Sequence, residues 1–212
     1  LLNKSRESCW RGWQSDWHLH GGTLDGMRVG IYGLGVIGRR FVDLLRPFGA
    51  AMRFFDPYVD GHPADLTRVD SLEALFDTSQ AIVVHAGLSA ETHHSVTAAL
   101  LARLPDHAVI VNTARGAIID QEALFAELAA GRLRAGLDVL EPPDSLPPDH
   151  PARQWENLIL SAHRIGRNPP DYYQETDRLE DYHCVCLENV RRFAEGQPLR
   201  FVMDRVRYLR ST

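Results

Sequence analysis

Short apolar runs rich in β-branched residues alternate along the chain with longer segments whose apolar residues recur at helical spacing. The first run lies within residues 27–38 and stops at a cluster of glycines, after which a helical pattern begins. Further strands are predicted at residues 52–55, 81–84, 109–113, 135–139 and 158–160. This alternation is typical of an α/β fold, and we predict a doubly wound parallel sheet of the Rossmann type with right-handed crossovers.

Capping signals indicate where the helices begin and end. Asp70 and Glu73 form a possible capping box for a short helix. Asp120 is the predicted N-cap of another helix, which ends at Gly131. The longer helices are predicted at residues 97–104, 121–130 and 171–195.

Three glycines and one aspartate predict a dinucleotide site. Gly33, Gly35 and Gly38 match G-x-G-x-x-G between the first strand and its helix, where backbone N–H groups can hold a pyrophosphate. Asp56 ends the second strand, eighteen positions after Gly38, where its carboxylate can accept hydrogen bonds from the adenosine ribose. Because this charge repels a 2′-phosphate, NAD is predicted rather than NADP. The alternative is that Asp56, followed by Pro57, only begins a turn.

Length and charge exclude several classes of protein. With 212 residues, the chain is long enough for one well-buried domain and part of another. Its net charge is -5 and its acidic residues are dispersed, which argues against nucleic acid or an anionic membrane as a partner. No apolar run approaches the ~20 residues of a membrane span, and the N-terminal residues lack a signal-peptide core. We therefore expect a cytoplasmic protein.

The three cysteines are predicted to be buried, reduced thiols. Cys9, Cys184 and Cys186 are odd in number and lack the spacing of metal ligands, so neither a disulfide framework nor a metal site is expected. The chain begins with Leu1 rather than methionine, and we expect it to start inside a longer reading frame.

An aromatic segment precedes the first strand. Trp10, Trp13 and Trp17 recur at helical spacing, so they are expected to line one face of a short helix. Such a face predicts docking onto the chain's own domain or onto a partner subunit, and the sequence leaves both possibilities open.

Polar side chains at the ends of strands predict the chemistry. His85, residues 113–116, Asp138 and His163 each follow a buried strand, and the carboxyl ends of parallel strands share one edge of the sheet. A histidine at this edge can donate a proton to a carbonyl oxygen while a nicotinamide delivers hydride to the carbon. Arg115 can bind a substrate carboxylate through two parallel hydrogen bonds. His85 is expected to be structural or to lie near the cofactor.

Together these motifs resemble those of the D-isomer-specific 2-hydroxyacid dehydrogenases. The resemblance rests mainly on Gly33-Leu-Gly-Val-Ile-Gly38, Asn112-Thr-Ala-Arg-Gly116, Gly136-Leu-Asp-Val139 and the His163 segment. It implies that Arg115 binds the 2-oxo acid, that His163 is the general acid/base and that Asp138 contacts the nicotinamide end. The residues expected to bind the cofactor are Gly33, Gly35, Val36, Ile37, Gly38, Asp56, Thr113, Ala114, Arg115, Asp138, His163 and Gly166.

The resemblance breaks at the acid that usually pairs with the catalytic histidine. The family's glutamate falls at Pro143 in this chain, and Glu141 or Asp144 could reach His163 instead. The sequence cannot choose between these two carboxylates, and Glu141 is taken as the catalytic candidate together with Arg115 and His163.

The histidine motif itself also differs from the family's. The usual Thr-Pro-His reads Ser161-Ala162-His163, and the cation Arg164 follows where an apolar residue is common. We hypothesise that Arg164 recognises an additional anionic group on the substrate.

The family's substrate domain normally precedes the aromatic segment, and only its returning tail is expected here. We predict an arm at residues 1–25, an NAD-binding domain at 26–168, and a C-terminal helix and tail of a truncated substrate domain at 169–212. The resemblance implies an NAD-dependent oxidoreductase that interconverts a small 2-oxo acid and its D-2-hydroxy acid, in a homodimer formed through the cofactor domains. The alternative is a catalytically impaired NAD-binding module or sensor, which Pro143, Arg164 and the missing domain favour.

Overall fold

In the computed structural model, which describes residues 23–163, 181–205 and 208, seven strands form one sheet. The strands are β1 (Arg28–Tyr32), β2 (Ala51–Phe55), β3 (Thr67–Arg68), β4 (Ala81–Val84), β5 (Val109–Asn112), β6 (Arg134–Leu137) and β7 (Leu158–Leu160). Every neighbouring pair is parallel, and the order across the sheet is β3-β2-β1-β4-β5-β6-β7. The predicted doubly wound parallel sheet is therefore confirmed.

Helices connect most of these strands. The helices of the described residues are α1 (Val36–Leu45), α2 (Leu72–Asp77), α3 (Ala98–Leu101), α4 (Gln121–Ala129) and α5 (Asp181–Ala194). Single 3₁₀ turns lie at Arg46–Phe48, Gly116–Ile118 and Pro151–Gln154. The helix predicted at 97–104 is shorter than expected, because the chain leaves the α-helical conformation after Leu101 and continues as turns toward Pro105.

Polar side chains cap the helices at their first turns. Ser71 Oγ accepts a hydrogen bond from the Ala74 amide at 3.1 Å, so the predicted cap at Asp70 is wrong by one residue. Asp120 accepts a hydrogen bond from the Ala123 amide at 3.0 Å, which confirms the predicted cap of α4. Asp70 and Ser71 are both suitable N-cap residues by type, and only the starting point of the helix distinguishes them.

The central strand β4 is buried on both of its faces. Ile82 and Val84 belong to a core cluster that includes side chains of α2, α3 and α4. Ala81 and Val83 belong to a second cluster, on the opposite face, that includes Val42 of α1. This two-sided burial explains why β4 is a continuous apolar run without alternation.

The strand order reverses between β1 and β4. From β1 the chain moves outward through β2 and β3, and it then returns to the other side of β1 to form β4 through β7. In open α/β sheets, ligands bind in the crevice outside the carboxyl ends of the strands at such a switch point. The loops that follow β1, β2 and β4 therefore meet at the crevice where a dinucleotide is expected.

The shortest strand was not predicted from the sequence. β3 contains only Thr67 and Arg68, both exposed, so it carries no apolar signal. The Arg68 side chain donates hydrogen bonds to the carbonyls of Val59 at 2.9 Å and Asp56 at 3.2 Å. These bonds attach the edge of the sheet to the loop after β2.

Helix α5 is more exposed than its pattern predicts. Cys184 and Cys186 are free thiols, as expected, but they are exposed, so the prediction that they are buried is wrong. Leu187, Val190 and Phe193 of the same helix are also exposed. Along the described residues, no helix combines the length and apolar content that crossing a bilayer requires.

A partly buried ion pair joins the end of α4 to the segment after α3, and it generates a stability prediction. Arg132 Nε donates to Glu127 Oε2 at 2.5 Å, and its Nη atoms donate to the carbonyls of Leu101 and Leu104 at 2.7 and 2.8 Å. Both ionised side chains are 23% exposed. The hydrogen bond from Arg132 lowers the pKa of Glu127 below its ordinary value.

We expect Glu127→Gln to lower the free energy of unfolding by about 1 kcal/mol at pH 7, because it removes one charge of this pair. Because the pKa of Glu127 is lower in the folded protein, its ionised carboxylate stabilises the fold at pH values above its unfolded pKa of about 4.3. This stabilisation is lost as the pH falls further and the carboxylate is protonated. Urea unfolding should therefore show a constant gap between wild type and variant above about pH 5 that closes below about pH 4.

Asp77→Asn provides the matched control for this prediction, because Asp77 pairs with Arg103 at 2.8 Å while 49% exposed. Its effect should stay below about 0.5 kcal/mol. An equal loss in both variants, or a gap that does not depend on pH, would contradict the role assigned to the Glu127–Arg132 pair.

Candidate functional site

The glycine motif forms the turn between β1 and α1. Gly33 has φ of +94°, in the left-handed region that favours glycine, and its amide donates to the Phe55 carbonyl at 3.0 Å. A Cβ on Gly38 would lie 2.3 Å from the Gly33 carbonyl oxygen, so only glycine lets α1 pack this closely on the turn. Apart from Gly35 itself and its neighbours in the chain, no heavy atom of the described residues lies within 4 Å of the position that a Cβ on Gly35 would take. The backbone at Gly35 is therefore open to a ligand.

Asp56 organises the same turn from the end of β2. Its Oδ2 accepts a hydrogen bond from the Leu34 amide at 2.8 Å, and its Oδ1 accepts one from the Tyr58 amide at 2.9 Å. The second bond shows that Asp56 does begin a turn, which was the alternative to a cofactor role. A carboxylate offers about four lone-pair sites, so these two bonds leave capacity for ribose hydroxyls.

A cavity of about 1230 Å³ opens over this turn. Its lining includes five of the predicted cofactor residues, which are Gly33, Gly35, Val36, Ile37 and Asp56. Val36 and Ile37 are 67% and 69% exposed. Sites for small ligands commonly measure about 300–1000 Å³, so this cavity is large enough for a dinucleotide. The glycine turn, the uncapped start of α1 and the ribose-side carboxylate together fit the NAD that the sequence predicts.

His85 lines the cavity directly after β4. Its ring packs against the Phe41 ring at a centroid distance of 5.2 Å, and its Nε2 is buried without a hydrogen-bond partner among the described residues. Burial lowers the pKa of His85, because it disfavours the charged imidazolium. His85 is thus a neutral, packed side chain beside the cavity, which fits the expectation for this residue.

The loop after β5 presents Arg115 at the rim of the sheet. The buried Asn112 holds this loop, because its Nδ2 donates to the Arg115 carbonyl at 2.9 Å and its Oδ1 accepts from the Ala114 amide at 3.0 Å. The Arg115 side chain is exposed, with Nη1 donating to the Ala114 carbonyl at 2.7 Å. Asn112 belongs to the predicted motif without a predicted role, although a polar residue at the end of a buried strand is a recognisable signal.

The loops after β5 and β6 touch each other at Gly116. A Cβ on Gly116 would lie 1.9 Å from the Leu140 carbonyl carbon, so any larger residue would push the two loops apart. This contact places residues 140–144 beside the Arg115 loop.

Asp138 fixes the segment that carries His163. Its side chain is buried, with Oδ1 accepting a hydrogen bond from Ser161 Oγ at 2.7 Å. Its carbonyl accepts a hydrogen bond from the His163 amide at 2.7 Å. Asp138 therefore joins the ends of β6 and β7, which places Asp138 and His163 at one edge as predicted.

Asp144, rather than Glu141, is the carboxylate that contacts His163. Asp144 Oδ2 lies 2.7 Å from His163 Nδ1, and its Oδ1 accepts a hydrogen bond from the Leu140 amide at 2.6 Å. Glu141 Oε1 instead lies 2.6 Å from His94 Nε2. The choice of Glu141 as the partner of His163 is thus corrected to Asp144, the other carboxylate that the sequence left open.

His93, His94 and Glu141 bring three potential metal-ligand atoms within 4.8 Å of one another. The two imidazole rings stack at a centroid distance of 4.1 Å, and the His94–Glu141 hydrogen bond accounts for the closeness of that pair. We assign no metal to these side chains.

The site has two parts along the edge of the sheet. The cavity lies at the ends of β1, β2 and β4, whereas Arg115, Asp138 and His163 follow β5, β6 and β7 and are not among its lining residues. Thr113 and Ala114 accompany Arg115 in its loop. Several predictions fall outside the described residues: Gly166, Arg164, Cys9, Trp10, Trp13 and Trp17.

Comparison with known proteins agrees with this arrangement. The family profile described as "D-isomer specific 2-hydroxyacid dehydrogenase, NAD binding domain" matches residues 2–164. Glyoxylate reductase of Korarchaeum cryptofilum is 33% identical over 191 residues, which cover 87% of this chain and 55% of the relative. The chain spans about half the length, or less, of the curated relatives it matches.

Solved structures show the same fold with either nicotinamide cofactor. A D-isomer specific 2-hydroxyacid dehydrogenase from Xanthobacter autotrophicus Py2, in complex with NADPH and MES, has a TM-score of 0.74 and 27% identity, covering 94% of this chain and 79% of that one. NAD-dependent formate dehydrogenase from Staphylococcus aureus, in complex with NAD, has a TM-score of 0.72 and 28% identity, covering 94% and 59%. NAD is the cofactor of the matched domain, and the chain belongs to the D-isomer-specific 2-hydroxyacid dehydrogenase family.

Proposed function

We propose that the protein is an NAD-dependent oxidoreductase that interconverts a small 2-oxo acid and its D-2-hydroxy acid by hydride transfer. The observation that carries the proposal is the His163–Asp144 pair at 2.7 Å, on the same sheet edge as the Arg115 loop and the dinucleotide cavity. A module that only binds NAD has no use for an oriented histidine and an exposed arginine at this edge.

In this proposal the cofactor lies along the glycine turn. The open backbone at Gly35 and the start of α1 hold the pyrophosphate, and Asp56 accepts hydrogen bonds from the adenosine ribose. The nicotinamide supplies or accepts the hydride. The preference for NAD over NADP is part of the proposal, since relatives of known structure include an NADPH complex.

The residues after β5 and β7 act on the substrate. When Nδ1 of His163 donates to Asp144, this hydrogen bond fixes the tautomer of the imidazole. Nε2 is then the nitrogen that exchanges a proton with the substrate oxygen. Arg115 has five N–H donors and uses one of them on the Ala114 carbonyl, so its remaining donors can bind the substrate carboxylate.

A second function, an NAD-binding module without turnover, is favoured by two observations. The cavity lining includes neither Arg115 nor His163, and the His163 side chain is 58% exposed. The experiment below separates the two functions.

Turnover is measured as NADH oxidation with glyoxylate, hydroxypyruvate and pyruvate as substrates, and NADH binding is measured by nicotinamide fluorescence. We expect Asp144→Asn to lower kcat roughly 100-fold with little change in NADH affinity, because the imidazole loses its orienting carboxylate. Glu141→Gln is the matched control, since Glu141 contacts His94, and it should change kcat by less than about three-fold.

Equal losses in both variants would contradict the pairing of His163 with Asp144. Saturable NADH binding without turnover of any of the acids would favour the binding module. Absence of NADH binding would overturn both functions.

The presentation of His163 depends on an unusual backbone at residue 162. Ala162 and His163 have φ of 55° and 57°, in the left-handed region that costs a non-glycine residue about 1–2 kcal/mol. Proline, which the family usually has at this position, locks φ near −65° and cannot adopt this conformation.

We therefore expect Ala162→Pro to separate His163 from Asp144, with a loss of turnover and a drop in unfolding free energy of about 1–3 kcal/mol. Ala162→Gly should keep the activity and leave stability unchanged or raised, because glycine adopts positive φ freely. Urea unfolding and NADH oxidation test both variants. Full activity and stability in Ala162→Pro would show that residue 162 does not require this conformation.

We also propose a homodimer, with residues 1–25 as the docking arm, the cofactor domain at 26–168 and the tail at 169–212. The proposal rests on the family resemblance and on Trp10, Trp13 and Trp17. Light scattering should give twice the chain mass of 23.9 kDa, and deletion of residues 1–25 should give the monomer. A full chain at 23.9 kDa would refute the dimer. The cytoplasmic location stays a prediction from the sequence.

A further inference from the structure

A hydrogen bond joins two loops that line the cavity. Tyr58 lies in the loop after β2, and its hydroxyl donates to Oε2 of Glu91, which lies in the loop after β4. Both residues line the cavity. Since β1 pairs with β2 on one side and with β4 on the other, this bond joins the two loops that flank the glycine turn.

Tyr58 connects the Glu91 carboxylate to that of Asp56, although the two residues belong to different loops. The Tyr58 amide donates to Asp56 Oδ1 at 2.9 Å, so one residue is bonded to both carboxylates. Both carboxylates act on the buried phenol of Tyr32. Burial is the main cause that raises the pKa of Tyr32, and the negative charges of Asp56 and Glu91 each raise it further.

Acidic side chains outnumber basic ones around this cavity. Among the described residues that line it, Asp56, Glu91 and Asp204 are carboxylates, whereas Arg39 is the only lysine or arginine. The Arg39 guanidinium already donates to the Gly61 carbonyl at 2.6 Å. A dianionic group that enters this part of the cavity therefore meets a surplus of negative charge.

We propose that Glu91, held at the cavity by Tyr58, is a second specificity-determining residue that disfavours the 2′-phosphate of NADP in addition to Asp56. NAD carries a neutral hydroxyl in place of this phosphate and has the same pyrophosphate, so the charge of Glu91 acts differently on the two cofactors only at the 2′ position. This inference rests on the proposed cofactor site, and it assigns to a residue of the β4 loop a role that the sequence analysis gave to Asp56 alone.

Titration of the full chain with NADH and with NADPH tests the proposal by nicotinamide fluorescence. Glu91→Gln keeps a hydrogen-bond acceptor for Tyr58 and removes the charge. It should tighten NADPH binding roughly three- to ten-fold, as expected for charges several ångströms apart near solvent, and should change the Kd of NADH by less than about two-fold. Glu91→Asp should keep the discrimination, because it keeps the charge.

Two further variants sharpen this test. Tyr58→Phe leaves the charge but removes the bond that holds it, so it should shift the NADPH/NADH ratio of Kd values in the same direction and by less than Glu91→Gln. Glu122→Gln, on the exposed start of α4 and away from the cavity, changes the net charge equally and should leave the ratio unchanged.

Salt dependence separates charge repulsion from a change of shape. Raising the ionic strength from about 0.05 to 0.5 M should reduce the discrimination of wild type more than that of Glu91→Gln, because screening weakens a repulsion that the variant lacks. Far-UV circular dichroism verifies that each variant is folded.

Two results would overturn the inference. If wild type binds NADH and the ratio in Glu91→Gln and Tyr58→Phe stays within two-fold of wild type, Glu91 has no role in cofactor choice and the cofactor site itself stands. If wild type binds neither nucleotide, the proposed cofactor site fails and this inference fails with it.

Discussion

The approach of Gly38 to the carbonyl oxygen of Gly33 is the contact on which the rest of the site depends. It seats α1 directly on the turn after β1, and no side chain larger than hydrogen fits there. With α1 in this position, the Leu34 amide reaches Asp56 at 2.8 Å, and the loop after β2 is tied to the glycine turn. The cavity for the dinucleotide forms between this turn and the loop after β4.

The second half of the site is built from a different kind of contact. After β5, β6 and β7, buried polar side chains hold the loops in place. The Asn112 side chain forms hydrogen bonds with two backbone groups of the Arg115 loop. The Asp138 side chain accepts a hydrogen bond from Ser161 at the end of β7. Each of these polar groups is buried and satisfied, so its loop has one well-determined conformation. The carboxyl ends of the sheet therefore present Arg115 and His163 as exposed groups on rigid supports.

The sequence alone predicts the elements of the fold whose physical signal is local and strong. The buried strands are apolar runs, the glycine turn permits few residue types, and Asp120 caps α4 as predicted. β3 was missed because two exposed residues carry no hydrophobic pattern. The cap at Ser71 and the exposure of Cys184 and Cys186 depend on where a helix begins and on what covers it, which a pattern of residues does not specify.

The partner of His163 could not be chosen from the sequence for a similar reason. Glu141 and Asp144 lie on either side of Pro143 and are chemically equivalent candidates, so the path of the backbone decides between them. In the structure the Glu141 side chain contacts His94, and its backbone amide donates a hydrogen bond to Gln121 Oε1 at 2.9 Å. No feature of residues 141–144 alone predicts that contact.

The His163–Asp144 pair differs from the usual histidine–glutamate pair of the family in the position of the carboxylate along the chain and in the length of its side chain. The carboxylate of Asp144 lies one residue after the position of the family's usual glutamate, on a side chain that is shorter by one methylene. The left-handed backbone at Ala162 and His163 provides a different approach for the imidazole, and alanine permits it where proline would not. On the other side, the Leu140 amide occupies Oδ1 of Asp144 and leaves Oδ2 for Nδ1 of His163. A carboxylate already held in this way loses little side-chain entropy when it orients the imidazole, so the loss of the family's glutamate is not by itself evidence that the chemistry has been lost.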